Sequence, residues 1–338
     1  MFFPLLCLSL KDMEQYFLKM GEPAFRAKQV FHWFYERFEA DFFKMTNLKK
    51  ELREKLNEMA GVQTLELLKT KKSKLDNSEK FLFKLKDGEK IETVKMPQKR
   101  GITFCLSTQS GCTLKCSFCL TGKRAGRNLK PYEIFESFLS MANGLSSKRI
   151  NIVFMGMGEP LLNLENIKKV LPFFYISISP RRITVSTAGL LKELRELGKI
   201  NPHPRLAISL NAGTDKTRKK LMPFHNYKII DIIEEIKNYP KRTGEKVTIE
   251  YVLIKNENDR DEEIENLKKL LNPIRNIIKI NFIPYNPVKS IQYEPTDEER
   301  INKIMDYFSK NNFNVTLRRS KGSDISAACG QLNAEYNI

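Results

Sequence analysis

The sequence lacks long apolar runs. No stretch approaches the roughly 18 consecutive apolar residues that a membrane-spanning helix needs, so we expect no transmembrane segment. The opening stretch MFFPLLCLSL is apolar but short, and it lacks the basic region and the cleavage site of a secretory signal. The sequence therefore predicts a cytoplasmic protein, in which thiols stay reduced.

Histidine is scarce, and no histidine lies close in the sequence to the one group of closely spaced cysteines. The three histidines are His32, His203 and His225. Three of the six cysteines form a Cys-x3-Cys-x2-Cys run, Cys112, Cys116 and Cys119. A structural zinc site takes four local cysteine or histidine ligands, and disulfides are rare without a secretory signal, so both match poorly. Three thiolates this close can hold three irons of a [4Fe–4S] cluster and leave the fourth iron open to a bound molecule.

Acidic residues are outnumbered by basic ones, 40 against 58, which gives a formal net charge of +18. Such a surplus favours a polyanionic partner, either a nucleic acid or an anionic membrane surface. Three basic groups are predicted to contact phosphates: Lys123, Arg124, Arg127 and Lys130; Lys216, Arg218, Lys219 and Lys220; and Arg318, Arg319 and Lys321.

The first hundred residues divide into a helical part and a hairpin. Residues 1–60 mix apolar and polar residues at helical spacing, with Gly21 and Gly61 predicted to interrupt the helical pattern. Residues 80–86 and 90–95 alternate around the turn Asp87-Gly88, which predicts a β-hairpin. The basic stretch 69–74 before it is predicted to be a loop.

From residue 100 onward, strand and helix patterns alternate, and such βα repeats predict a parallel sheet. Strands are predicted at 102–107, 150–155, 182–187, 205–210, 247–253, 277–283 and 313–318, and helices at 131–145, 164–172, 189–197, 228–238, 261–271 and 297–310. In α/β barrels the site lies at the C-terminal ends of the strands. The cysteine run and five other candidate site residues fall there: Gly158, Glu159, Ser186, Ser209 and Asn286.

The motifs together resemble those of the radical S-adenosylmethionine (SAM) superfamily. The cysteine run matches its cluster signature, and Gly156-Met157-Gly158-Glu159-Pro160 is similar to its GEP loop. The block GSDISAACGQL at 322–332 resembles the C-terminal block of the RlmN/Cfr group of RNA adenine methyltransferases. This resemblance, from about Asp12 to Leu332, implies three parts: a helical accessory domain (1–60), a β-hairpin extension (61–97), and a partial (βα)6 radical SAM barrel with a C-terminal catalytic-cysteine loop (98–338).

The resemblance also implies the cofactors. Cys112, Cys116 and Cys119 would hold a [4Fe–4S] cluster whose open iron takes SAM, and two SAM molecules are used per turnover. The positions that match SAM contacts are Gly158, Glu159, Ser186, Ser209, Leu210, Asn211 and Asn286. The family usually has histidine where Asn211 stands, and asparagine keeps hydrogen-bonding groups but cannot become a cation.

Three further residues gain roles only through the resemblance. Cys329 would take a methyl group from one SAM, lose a hydrogen atom to the radical made from a second SAM, and add its methylene to adenine carbon 2. Cys105 would release the product by forming a transient disulfide with Cys329, and Glu92 would accept the carbon-2 proton. Without the motifs, such cysteines would be read as buried packing residues, and Glu92 as a solvated strand residue.

The implied substrates are an adenine in the peptidyl-transferase centre of 23S rRNA and the adenine 3′ of the anticodon in tRNA, with a flavodoxin-type electron donor. One alternative is methylation of adenine carbon 8, as in the resistance branch of the group. Another is a non-enzymatic basic RNA-binding protein with a redox or zinc cluster. The additional thiols of Cys105 and Cys329 favour an enzyme, because binding alone requires neither.

Overall fold

The computed structural model describes residues 5–59, 64–145, 149–224 and 227–333, so His225 lies outside the described residues. Its N-terminal part is helical, as predicted, with α1 (Leu10–Lys19), α2 (Ala24–Tyr35) and α3 (Lys50–Met59). Helix α1 begins after Ser9, whose hydroxyl oxygen accepts the backbone N–H of Asp12 at 3.1 Å and caps the helix. The Tyr35 ring lies 5.1 Å from the ring of Phe135 in the barrel, so these helices share the main apolar core.

The strands form one sheet in sequence order. They are β1 (Glu66–Lys72), β2 (Glu79–Lys84), β3 (Lys90–Gln98), β4 (Gly101–Cys105), β5 (Ile150–Phe154), β6 (Ile183–Thr187), β7 (Arg205–Ser209), β8 (Val247–Leu253), β9 (Ile278–Pro284) and β10 (Val315–Leu317). Strands β1 to β4 pair antiparallel, and β4 to β10 pair parallel. The predicted hairpin is therefore confirmed, and so is the parallel sheet.

Helices connect the parallel strands. They are α4 (Pro131–Ala142), α5 (Leu164–Tyr175), α6 (Leu191–Gly198), α7 (Asp215–Leu221), α8 (Ile229–Asn238), α9 (Asp261–Leu271) and α10 (Glu298–Lys310). Strands covered on both faces read as nearly continuous apolar runs, which is why the predicted strand positions agree within a few residues. The short helix α7 was not predicted, because its sequence DKTRKKL shows charge rather than an apolar face.

The prediction of a loop at 69–74 is wrong for most of its length. Residues Glu66–Lys72 form β1, which pairs with β2 and contains an irregularity between Leu67 and Lys69. This strand lies at the edge of the sheet and is mostly exposed, so it lacks the alternation of apolar residues that marks a half-buried strand. Lysines are typical of edge strands, where they oppose pairing with another chain.

The sheet curves around an interior cavity of ≈ 380 Å³, which residues from β3 to β9 and from the segment after β10 line together. That segment returns to the hairpin, where Ser73 Oγ donates to an Asp324 carboxylate oxygen at 2.7 Å. The domain limits remain predictions, since the limit after residue 60 falls outside the described residues and the limit after 97 falls inside β3. No helix in the described ranges is long and apolar enough to cross a membrane.

Candidate active site

The cysteine run lies in the loop after β4. Its three thiols line one cavity of ≈ 160 Å³ together with Gly158 and Glu159. The loop is fixed to the end of α7, because the Ser117 N–H donates to the Leu221 carbonyl at 2.8 Å. Three cysteines that face one cavity beside the Gly158–Glu159 turn are the donor set that an iron–sulfur cluster with one open iron requires, so these residues fit that cofactor.

The cluster thiols are poorly solvated. Burial raises the pKa of Cys112 to about 12 and the pKa of Cys116 well above its ordinary value, and the neighbouring thiols raise the Cys116 pKa further. Thiols must lose their protons to bind metal, and bound iron supplies the positive charge that stabilises the thiolates. Within the described ranges, no three His, Cys, Asp or Glu side chains are arranged to hold a single metal ion.

The second wall of this cavity comes from the turn after β5. Gly158 has φ +99°, and a Cβ there would lie 2.5 Å from Gln109, so glycine is required for both backbone and space. Glu159 is buried, and its carboxylate accepts the backbone N–H groups of Leu161 at 3.0 Å and Ala188 at 2.9 Å. The carboxylate therefore joins the ends of β5 and β6 and leaves the backbone of the turn facing the cavity.

Ser186 and Ser209, at the ends of β6 and β7, also line this cavity. Asn211 lines it as well, with φ 58°. Asparagine and histidine are both enriched in this left-handed region, so the departure from the family pattern keeps the backbone conformation. The Asn211 Oδ1 atom accepts the backbone N–H of Val252 at 2.9 Å, which fixes the turn to β8.

Leu210 and Asn286 are placed differently from the other predicted SAM contacts. Neither is among the residues that line the two cavities. Leu210 is buried in the core, and Asn286 Nδ2 donates to Ser320 Oγ at 2.9 Å and to the Cys329 carbonyl at 3.1 Å. In this structure Asn286 therefore holds the cysteine loop rather than facing the cluster cavity.

Cys329 lies in the wall between the two cavities. It lines the ≈ 160 Å³ cavity with the cluster cysteines, and it lines the ≈ 380 Å³ cavity with Cys105. The next residue, Gly330, has φ 83°, and its carbonyl accepts the Leu120 N–H at 2.8 Å, which attaches the loop to the cluster segment. The structure thus brings together the three cluster cysteines, Cys329 and Cys105, which are far apart in sequence.

Arg318 was predicted to contact phosphate, but it points into the interior cavity that Cys105 and Cys329 line. Its Nη1 atom donates to Glu250 Oε1 at 3.0 Å, and the other Glu250 oxygen accepts Ser186 Oγ at 2.9 Å. Burial raises the pKa of Cys329, and the Arg318 guanidinium opposes this rise by favouring the thiolate. In the sequence, the signal for this buried pair of Arg318 and Glu250 is Glu250 itself, a charged residue within the otherwise apolar strand sequence TIEYV.

Arg218 is a second correction to the predicted phosphate contacts. It is 1 % exposed, and its guanidinium donates to the carbonyls of Ser209, Leu210 and Ala188, at the ends of β6 and β7. Burial lowers its pKa to about 10, so the group stays charged at neutral pH. Other members of the three basic groups are held in ion pairs, such as Arg124 with Glu89 at 2.5 Å.

Glu92 is buried rather than solvated. Its carboxylate lies 2.8 Å from Lys80 Nζ and accepts the backbone N–H of Asn333 at 2.8 Å. It is not among the residues that line either cavity. The role of proton acceptor therefore remains a prediction, while the structure places Glu92 against the loop that carries Cys329.

Replacing Arg218 by methionine is expected to lower the free energy of unfolding by about 2–4 kcal/mol, because three buried carbonyls lose their charged donor. Weaker SAM binding should accompany the change, since the strand ends beside the cavity lose their shared partner. Urea unfolding and equilibrium SAM binding measure the two effects. Lys219→Met, at the exposed neighbouring position, is the control; equal urea midpoints for both variants would contradict the structural role of Arg218.

Comparisons with known proteins agree with this geometry. Residues 3–62 match the family described as Ribosomal RNA large subunit methyltransferase N-terminal domain, and residues 106–270 match the Radical SAM superfamily. The chain is 42% identical to a dual-specificity RNA methyltransferase RlmN from Campylobacter lari, over 92% of this chain and 93% of the relative. It is 39% identical to the protein of the same name from Geobacter sulfurreducens, over 98% and 92%.

A solved structure is also similar over nearly the whole chain. It is a radical SAM methyltransferase from Sphaerobacter thermophilus, 36% identical, with a TM-score of 0.92 over 98% of this chain and 99% of that one. The agreement covers the N-terminal helices, the hairpin and the barrel, so the arrangement of these parts is that of a known radical SAM methyltransferase.

Proposed function

The chain belongs to the RlmN family of radical SAM RNA methyltransferases, and from this premise we propose that it methylates carbon 2 of adenine in 23S rRNA and in tRNA. The protein is a SAM-dependent enzyme of the radical SAM superfamily, which uses a [4Fe–4S] cluster and SAM. The relatives carry the words dual-specificity RNA methyltransferase in their names, and these words support two kinds of RNA substrate.

One observation carries the proposal: Cys329 lies in the wall shared by the two cavities. A methyl carrier must meet SAM on one side and a second thiol on the other. The cavity with Cys112, Cys116 and Cys119 supplies the first side, and the cavity with Cys105 supplies the second. A protein that only bound RNA would need neither Cys329 in this wall nor Cys105 in the interior cavity.

The cluster cysteines would hold the cofactor, and the turn at Gly158 and Glu159, with Ser186 and Ser209, would bind SAM against it. A [4Fe–4S] cluster with SAM on its open iron supplies the one-electron cleavage of SAM to a 5′-deoxyadenosyl radical. Asn211 would shape the same wall through its left-handed turn. Leu210 offers only its backbone, and Asn286 would act through the carbonyl of Cys329.

Cys329 would carry the methyl group through the reaction. Its thiolate attacks the methyl carbon of the first SAM, so a new S–C bond forms while the bond from the methyl group to the sulfonium sulfur breaks and S-adenosylhomocysteine leaves. The 5′-deoxyadenosyl radical removes a hydrogen atom from that methyl group, and the remaining methylene radical adds to adenine carbon 2. The adduct then loses the carbon-2 proton to a base and one electron, for which the cluster left oxidised by SAM cleavage would be the acceptor. Cys105 then attacks the Cys329 sulfur, so the electron pair of the S–C bond leaves with the methylene carbon, which gains a proton to become the methyl group.

Glu92 is proposed to accept the carbon-2 proton. Its support is the buried carboxylate beside Asn333, at the end of the loop that carries Cys329.

The disulfide left between Cys105 and Cys329 requires two electrons for reduction, and cleavage of the second SAM requires one more. A flavodoxin-type protein is the proposed donor for SAM cleavage.

The adenine must leave its stack to reach a thiol inside the barrel, because a base in folded RNA is otherwise inaccessible. The interior cavity of ≈ 380 Å³ is the space proposed to receive the base, since Cys329 and Cys105 both line it. The adenine in the peptidyl-transferase centre and the adenine 3′ of the anticodon both lie in RNA where single bases can be splayed out.

Mass spectrometry of nucleosides tests the proposed position and substrates. The cluster-loaded protein is incubated without oxygen with SAM, a reductant and either unmethylated 23S rRNA or tRNA. We expect 2-methyladenosine in both RNAs, and none when the reductant is omitted. Recovery of 8-methyladenosine would instead support the carbon-8 alternative, and the absence of any methyladenosine would contradict the proposed function.

A further inference from the structure

A buried ion pair holds the loop that carries Cys329. Lys80 on β2 and Glu92 on β3 are 4 % and 1 % exposed, and their charged atoms lie 2.8 Å apart. Lys80 Nζ also donates to the Ser326 carbonyl at 3.1 Å, and Glu92 accepts the Asn333 N–H at 2.8 Å. The ion pair therefore contacts residues on both sides of Cys329, three before it and four after it.

The hairpin presents this pair by its register. Lys80 pairs with Val94 and Leu82 pairs with Glu92, so all four side chains lie on one face. The same face contributes Leu82, Val94 and Met96 to an apolar group that also contains Cys105, Met157, Ala327 and Leu332. The ion pair thus lies beside the apolar contact between the hairpin and loop 322–333.

The backbone of the loop is strained where Lys80 holds it. Ser326 has φ 54°, a left-handed conformation that costs free energy for residues other than glycine. Such a conformation persists when surrounding contacts fix it, and the Lys80 ammonium supplies one such contact at the Ser326 carbonyl. Gly322 and Gly330 adopt the same region, with φ 66° and 83°, and complete the turns of the loop.

A buried ion pair is weak support for stability alone, because removing two charges from water costs about as much as their attraction returns. The positions of both partners suggest another use. We propose that Lys80 is a positioning residue, which acts through Glu92 and the Ser326 carbonyl to hold loop 322–333 so that Cys329 faces both cavities. The inference rests on the proposed function of Cys329 as methyl carrier, and it assigns Glu92 a structural contact in addition to its proposed acceptor role.

The test uses the full-length, cluster-loaded protein with both charges removed, Lys80→Met/Glu92→Gln, so that no unpaired charge is left buried. Hydrogen exchange measured by mass spectrometry reports on the loop. We expect backbone amides in 322–333 to exchange about tenfold faster than in the wild type, while amides in β5 to β9 stay unchanged. The second readout is the rate at which Cys329 becomes methylated by SAM, measured on its proteolytic peptide, a step that precedes loss of the carbon-2 proton.

Cys329 methylation in the double variant is expected to slow by about 100-fold at unchanged iron content, because a displaced nucleophile loses its alignment with the methyl group. Lys80→Arg, which keeps a cation beside Glu92, should restore most of the rate. Lys95→Met is the matched control. Lys95 on β3 forms an ion pair with Glu79 on β2 at 3.3 Å, and the two residues are opposite each other in the strand pairing, away from the loop contacts. It should behave as the wild type in both readouts.

Two results separate this inference from the proposed function. Wild-type exchange and wild-type Cys329 methylation in the double variant would overturn the positioning role of Lys80. Failure of the wild-type protein itself to methylate Cys329 would overturn the proposed function, while the exchange comparison would still decide whether the ion pair holds the loop. If the double variant does not fold, the single Lys80→Gln variant decides, because glutamine lacks both the charge and the length of Lys80. Faster loop exchange in this variant, without any change in Lys95→Met, supports the contact, and wild-type values contradict it.

Discussion

Replacing Cys329 by alanine is expected to abolish RNA methylation, by a factor of about 10⁴ or more, because covalent catalysis has no route without its nucleophile. The Cys329 side chain lies in the wall of both cavities. Among the described residues, two other cysteines line the interior cavity, Cys119 of the cysteine run and Cys105. Iron content and SAM binding should stay close to the wild type. The measurement is transfer of the methyl group from labelled SAM to 23S rRNA and tRNA.

Cys7→Ala is the control for that experiment. Cys7 is a free cysteine in the N-terminal helical part, where burial raises the pKa of its thiol. Its backbone N–H donates to the Tyr35 hydroxyl at 2.8 Å, and alanine keeps that bond. Activity should therefore be retained. Free methylated RNA from purified Cys329→Ala would refute the methyl-cysteine step.

Replacing Cys105 by alanine is expected to trap the protein on its RNA. The methylene bridge between Cys329 and adenine then forms but is not broken, because the thiol that attacks the Cys329 sulfur is missing. Burial, together with the neighbouring Cys329, raises the pKa of Cys105 to about 12, so the Cys105 thiol is protonated at neutral pH. The stable product should be one RNA per protein molecule, resistant to denaturation.

A labelled tRNA or 23S rRNA fragment detects the adduct as a slow band on a denaturing gel. Nuclease digestion followed by mass spectrometry should place adenosine plus one carbon on the Cys329 peptide. Cys105→Ala/Cys329→Ala should show no adduct, which separates the specific bridge from other crosslinks. Release of free product by Cys105→Ala at the wild-type rate would exclude the disulfide route.

The parallel part of the fold could be predicted from the sequence because its strands are buried on both faces. Strand β6, for example, was predicted at 182–187 and is found at Ile183–Thr187. The grouping of Cys112, Cys116 and Cys119 around one cavity could also be predicted, because their spacing is local. Their convergence with Cys329 rests on a contact between segments more than 200 residues apart, which only the resemblance indicated.

Other features could not be predicted because charge says nothing about burial. Arg218 and Arg318 stand in basic groups that look solvated, yet Arg218 caps two strand ends and Arg318 pairs with Glu250 inside the barrel. The contact of Lys80 with Ser326 joins the hairpin to the C-terminal loop, and no local pattern encodes such a pairing. Strand β1 was missed for a related reason, since an exposed edge strand needs no apolar alternation.

The most direct test of the account follows the methyl hydrogens. The protein is run for several turnovers with SAM whose methyl group carries deuterium in place of all its hydrogens, and the mass of the methyladenosine product is measured. A methyl group that passes through Cys329 loses one deuterium atom to the radical and gains one hydrogen at release, so the product should retain two deuterium atoms. Retention of all three would mean that the methyl group moves intact from SAM to the base, which would contradict the role assigned to Cys329.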